Sequence, residues 1–123
     1  MKIAIVIITV DRLHGHNYLC DTLRSLRSSG VCDDPRFSID IYHSGAQRSN
    51  LNIELIDRCN AVLNINETKT HTNVSSLNAL KIGIKRNPKF VVFLEDDVEV
   101  CSDFPEFVCS QLNLKPRAPI IDF

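Results

Sequence analysis

The sequence predicts a three-layer, doubly wound α/β fold built on a mostly parallel sheet. Three observations carry this expectation. Apolar and helix-like stretches alternate along the chain in the order β-α-β-α-β-α-β-α, the pattern of a parallel sheet with crossover helices. The runs Ile3–Thr9 and Phe90–Leu94 show no polar alternation, as expected of strands covered on both faces. Polar groups stand where three of the strands should end, at Asp11-Arg12, His43-Ser44 and Glu95-Asp96-Asp97. In a doubly wound sheet those ends share one edge, and ligands bind in the crevice beyond it.

Each element follows from local signals. Asn17 is an N-cap for a helix over Tyr18–Ser29, with Leu19, Leu23 and Leu26 as its core stripe and Gly30 as its stop. Phe37–Tyr42 alternates and reads as the second strand, and the turn-rich stretch His43–Asn50 reads as a loop. Leu51–Arg58 is a short helix, Ala61–Ile65 a short strand and Asn66–Thr72 a polar loop. A helix over Asn73–Lys85 places Leu77, Leu80 and Ile84 on one face and ends before Asn87-Pro88. The last helix starts near Phe104-Pro105, with Phe104, Phe107, Val108 and Leu112 as its buried side. The tail from Leu114 has two prolines and then a short apolar end, which reads as the beginning of a strand.

Length and composition bound the rest. The 123 residues suit a single domain, 1–123, with enough chain for a real core. A net charge of −1 gives no reason to expect nucleic acid or an anionic membrane as partner. The apolar run Ile3–Val10 is too short to span a bilayer and ends in Asp-Arg rather than in a cleavage site. Five cysteines without a CxxC pair argue against zinc and for buried, reduced thiols, hence a cytoplasmic protein.

The acid triplet after Leu94 is the main chemical feature. Adjacent carboxylates repel, and burying them unpartnered is costly. A divalent cation such as Mg²⁺ or Mn²⁺ relieves both problems, using one or two carboxylates together with waters and substrate phosphates. In an extended segment residues i and i+2 point the same way, so Glu95 and Asp97 would share a face while Asp96 points elsewhere. The plainer reading is a solvated acidic turn leading into a helix. Arg12 has the same two readings, a surface charge or a bidentate donor to a diphosphate. His43 is a weaker candidate, since no second His or Cys sits at ligand spacing.

The segment FVVFLEDDVEVCSDFPEFV resembles the metal-site segment of GT-A glycosyltransferases. It is most similar to the N-acetylglucosaminyltransferase I family through Glu95-Asp96-Asp97, Glu99-Val100, Asp103-Phe104 and Phe107. The segment TVDRLHGHNYLCDTLRSL resembles the first strand and helix of the N-acetylglucosaminyltransferase IV family, which also carries a LEDD segment like Leu94–Asp97. The resemblance implies a GT-A fold, a nucleotide-sugar donor of the UDP-sugar class, UDP-N-acetylglucosamine among them, and Mn²⁺ or Mg²⁺ as cofactor. It implies Asp97 as metal ligand, with Glu95 and Asp96 at the ribose or at metal-bound waters. Thr9, Val10 and Asp11 would border the base and ribose, and Arg12 the diphosphate. Where the family often has an acid near the base, this chain has His43-Ser44.

Members of the family continue well beyond the metal segment, so the chain reads as a truncated, donor-binding half without an assignable catalytic base. A saccharide acceptor is expected if the enzyme is complete. Two other readings stand beside it. One is a non-catalytic binding or assembly module whose exposed apolar surface a homo-oligomer would cover. The other is a receiver-like signalling domain, suggested by length and Lys115-Pro116 but opposed by the late position of the acids.

Overall fold

The computed structural model describes residues 2–12 and 15–114. The elements are β1 (Ile3–Val10), α1 (Tyr18–Ser29), a 3-10 turn at Val31–Asp33, β2 (Phe37–Ser44), α2 (Ile53–Arg58), β3 (Ala61–Asn66), α3 (Thr72–Lys85), β4 (Phe90–Glu95) and α4 (Phe104–Leu114). The expected tail strand, and Lys115-Pro116, lie outside the described residues.

The four strands form one sheet in the order β3-β2-β1-β4, and every neighbouring pair is parallel. β1 is central and buried on both faces. Ile3, Ile5 and Ile7 join a core with α1, α2 and α4, including Leu19, Leu23, Leu26, Ile56, Val108 and Leu112. Val6 packs with Tyr42 and Ala79 on the opposite face, under α3. The result is a three-layer, doubly wound α/β fold. Strand order reverses at β1, because β2 and β3 are added on one side of it and β4 on the other. The crevice above β1 and β4 is therefore the topological switch point where such sheets hold ligands.

The ends of α1 form as the sequence implies. The Asn17 side chain accepts from Cys20 N, and Gly30 closes the helix at φ 84°, a conformation that glycine adopts without a Cβ penalty. β2 runs two residues further than expected, so His43 and Ser44 are its last residues and not part of a loop.

α3 departs from expectation. Leu77 and Ile84, expected to face the core, are 53% and 63% exposed. The helix is buried instead through Ser75, Ala79 and Gly83. The reason is close approach: a Cβ on Gly83 would meet Val6 Cγ1 at 2.8 Å and Val91 Cγ1 at 3.3 Å. Small residues let the helix axis sit low on the strands, and that outweighs burial of the larger stripe. On α4, Phe104, Val108 and Leu112 are buried as expected and Phe107 is 37% exposed.

Asp40, in the middle of β2 beside Val6, is buried. It is held by Arg86, the C-cap of α3, through Nε and Nη2 at 3.0 and 2.8 Å. Cys20, Cys32, Cys59 and Cys109 are buried free thiols and Cys101 is exposed. No helix among the described residues is long and apolar enough to cross a membrane.

Gly83→Ala is expected to destabilise the fold by about 1–2 kcal/mol through overpacking, despite the roughly 1 kcal/mol that alanine gains in a helix. In a Val6→Ala background the same change should cost less or become neutral. Urea denaturation of the four proteins measures this coupling, and purely additive effects would show that the contact with Val6 is not the cause.

Candidate functional site at the strand ends

The carboxyl ends of β1, β2 and β4 converge on one edge. The register pairs Val10 with Ser44 and Ile8 with Glu95, so Thr9, Asp11, Arg12, Ser44 and the acid triplet share that edge. The triplet splits by environment. Asp96 is 3% exposed, while Glu95 and Asp97 are exposed and make no side-chain hydrogen bond or ion pair among the described residues, although the Asp97 charge also acts on Arg12.

Asp96 is satisfied from two sides. Arg12 grips it with Nη1 to Oδ2 at 2.5 Å and Nη2 to Oδ1 at 2.8 Å. Thr9 Oγ1 donates to Oδ2 at 2.7 Å. This hydrogen bonding to Asp96 raises the Arg12 pKa, against the opposing effect of burial. Because the Thr9 hydroxyl spends its proton on Asp96, it receives one from Asn50 Nδ2 at 3.0 Å. The backbone of the turn is held as well: the buried Thr22 hydroxyl of α1 lies 2.7 Å from Asp96 O and 2.6 Å from Val98 O, and its single proton is shared between the two carbonyls. Asp11 leans towards the β2–α2 loop and accepts from Ser49 N and Oγ at 2.9 and 2.7 Å.

His43 and Ser44 separate at the end of β2. His43 is fully buried, with Nε2 2.8 Å from Gln47 O, so it anchors the β2–α2 loop and does not line either cavity at this edge. Its Nδ1 has no partner among the described residues. Ser44 accepts from Thr70 N at 3.2 Å and reaches the larger cavity.

Two cavities flank the Arg12–Asp96 pair. The larger, about 250 Å³, lies on the α3 side and is lined by Thr9, Val10, Ser44, Lys69, Thr70, Thr72, Ser75 and Glu95. The smaller, about 110 Å³, lies on the α1 side and is lined by Asp11, His16, Asn17, Tyr18, Ser49 and Asn50. Val10, Arg12 and Asp96 belong to both. Asp97 lines neither.

Lys69, Thr70, Thr72 and Ser75 were not singled out from the sequence. They reach the site because the β3–α3 connection crosses from one edge of the sheet to the other over the strand ends. The loop is pinned there: Thr70 Oγ1 lies 2.5 Å from Ser75 Oγ, and Asn66 and Asn78 both donate to the Tyr42 hydroxyl at 3.0 and 3.1 Å. Burial raises the Tyr42 pKa, but these donors outweigh it and bring the phenol below its ordinary value. The topology was the signal that could have found them.

No group of three or more His, Cys, Asp or Glu side chains converges on a metal-sized site among the described residues. Asp96 has its charge matched by Arg12. A cation here would therefore draw on Glu95 and Asp97 alone, with its other ligands from water or a ligand's oxygens. That donor set suits Mg²⁺ or Mn²⁺, which bind with one or two carboxylates in this way.

No family model matches the chain, and no curated protein matches it. Solved structures of TarS from S. aureus share its fold. One aligns with a TM-score of 0.71 and 17% identity, covering 94% of this chain and 20% of that one. TarS 1-349 in complex with UDP-GlcNAc aligns at 0.68 and 18%, covering 94% of this chain and 32% of that one. TarS 1-349 in complex with UDP aligns at 0.65 and 16%, covering 94% and 33% respectively. The chain thus spans about a third or less of these TarS chains. The likeness is one of fold, and the fold is the GT-A type expected from the sequence.

Arg12→Met leaves Asp96 buried and unpaired, and is expected to cost about 3 kcal/mol, the low end for a broken buried pair because Arg12 itself reaches solvent. Asp96→Asn in the same chain should return most of that loss. Thermal or urea denaturation of both single variants and the double variant checks it; additive losses would show that the pair is not coupled.

Proposed function

We propose that this chain is a nucleotide-sugar-binding module of a glycosyltransferase, holding a UDP-sugar in the cleft at the ends of β1 and β4. The observation that supports it most is the fold likeness to TarS, a GT-A-type glycosyltransferase whose solved structures include complexes with UDP-GlcNAc and UDP. The larger cavity, with Lys69 and the N-terminus of α3 on one side and Thr9, Val10 and Arg12 on the other, has the chemistry to take a nucleoside diphosphate. Ser44 and Thr70 stand where a base or ribose would be read, with Asp11 beyond them on the α1 side of Arg12. The resemblance of the EDD segment to N-acetylglucosaminyltransferases I and IV makes UDP-N-acetylglucosamine the first donor to test.

The roles of the acids divide by their surroundings. Asp96, neutralised by Arg12, holds the guanidinium in place and contacts the donor only at the cavity wall. Asp97 and Glu95 keep uncompensated charge in solvent, and they are the residues that would hold Mn²⁺ or Mg²⁺ with the diphosphate. Such an ion, when bound, neutralises charge on a departing diphosphate. Arg12 still has donors to offer the same oxygens, because only two of its five N–H groups are used on Asp96.

A second reading also has an observation behind it. Val62, Leu77 and Ile84 leave apolar surface exposed on the α3 side, which favours a module that works joined to more protein, in a longer chain or a homo-oligomer.

Calorimetry tests the main reading. UDP should bind in the presence of Mn²⁺, and chelation or Asp97→Ala should weaken it. Lys69→Ala should weaken it about tenfold, the effect of losing roughly 1.4 kcal/mol of charge-assisted contact. Equal, measurable heats from the wild type and Asp97→Ala would refute the metal assignment, and absence of heat from both would refute the nucleotide site.

A further inference from the structure

The inverted packing of α3 gives its outer face an unusual composition. Ser75, Ala79 and Gly83 are the buried residues of the helix. At 3.6 residues per turn, the opposite face carries Val74, Leu77, Lys81, Ile84 and Lys85. All five are exposed. They form a stripe roughly 15 Å long, at 1.5 Å per residue, in which aliphatic side chains alternate with lysines.

The charge around this stripe is one-sided. Residues 68–94 contain Lys69, Lys81, Lys85, Arg86 and Lys89 and no Asp or Glu. The rest of the chain has nine basic residues and all fifteen acidic ones. A net charge of −1 thus conceals a basic segment set against an acidic remainder. Arg86 is matched by Asp40. The side chains of Lys81, Lys85 and Lys89 are exposed and form no hydrogen bond or ion pair among the described residues. Whatever covers this face must accept aliphatic side chains and supply negative charge together.

That combination separates the candidates. A second copy docked about a two-fold axis would set the lysines against their own counterparts. Protein interfaces in general deplete lysine and anchor on aromatic residues and arginine, and the stripe has no aromatic residue. A nucleic acid would match the lysines but would leave Val74, Leu77 and Ile84 against phosphates, with no ring to stack on a base. An anionic bilayer offers phosphates and carboxylates at its surface and an apolar layer just beneath, the order in which this face presents its own groups.

We propose that the outward face of α3 docks on the surface of an anionic lipid bilayer. Val74, Leu77 and Ile84 enter the boundary between headgroups and acyl chains. The Lys81 and Lys85 stems lie along that boundary with their ammonium groups at the headgroups, and Lys89 adds charge beyond the helix end. Docking of this kind is independent of what the cleft at the strand ends holds.

Flotation tests it, with vesicles of phosphatidylcholine alone and of phosphatidylcholine with about one third phosphatidylserine, at low and high salt. The protein should float with the anionic vesicles and not with the neutral ones, and salt should release it. Lys81→Gln and Lys85→Gln should each weaken binding about fivefold. Leu77→Gln with Ile84→Gln should weaken it about tenfold or more. All four positions are exposed and glutamine suits a helix, so the melting temperature should stay as in the wild type. No flotation with anionic vesicles, equal flotation with both kinds, or unchanged binding in either set of variants would overturn the proposal. A dimer that Leu77→Gln with Ile84→Gln dissociates, in a protein that binds no vesicle, would overturn it in favour of a second copy.

Discussion

A carboxylate buried at the end of a strand is the constraint around which the ligand edge is organised. Taking the Asp96 charge out of water costs several kcal/mol unless a cation and donors replace the solvent. Arg12 supplies the cation, Thr9 a hydroxyl, and Asn50 the donor that Thr9 then needs. These residues come from the end of β1 and the β2–α2 loop, and Thr22 of α1 adds hydrogen bonds to the turn backbone. One buried charge thereby ties three parts of the chain to the end of β4. The order of the strands makes this possible, because β1 is central and has β4 as its neighbour.

The same economy explains the opposite face. α3 must carry the chain from the β3 edge to the β4 edge, and it does so by lying low on β1 through Ser75, Ala79 and Gly83. The low path brings the N-terminus of α3 and the preceding loop over the strand ends. Lys69 and Thr70 therefore join the larger cavity as a consequence of packing and not of any local motif. At the far end of the helix Arg86 covers Asp40 and, nearer its start, Asn78 donates to the Tyr42 hydroxyl, so α3 is fastened to the sheet by polar contacts as well as by small residues.

Much of this architecture was legible in the sequence. The unalternated strands, the Asn17 cap, the Gly30 stop and the convergence of three polar strand ends are local signals with one physical cause each. The α3 face was not, because hydrophobic periodicity assumes that the larger apolar stripe is buried. A close helix-to-strand approach reverses that, and no window of sequence reports the distance between α3 and Val6. The partition of the triplet was legible only in part. Alternation separates Asp96 from Glu95 and Asp97, but its burial depends on Arg12, 84 residues away. His43 misled for a related reason: β2 runs further than its alternation implied and turns the ring into the core.

The Arg12–Asp96 pair also settles how charge is distributed along the edge. A neutralised pair at the centre leaves Glu95 and Asp97 as uncompensated acids on one flank and Lys69 as a cation over the larger cavity. A diphosphate in that cavity would meet positive charge from Lys69 and the unused donors of Arg12, and negative charge from Glu95. The repulsion from Glu95 is relieved only if a cation comes in with the phosphates, which couples the two binding events. One ion pair thus divides a single crevice into two cavities of different charge, with Lys69 and Glu95 on one side and Asp11 on the other.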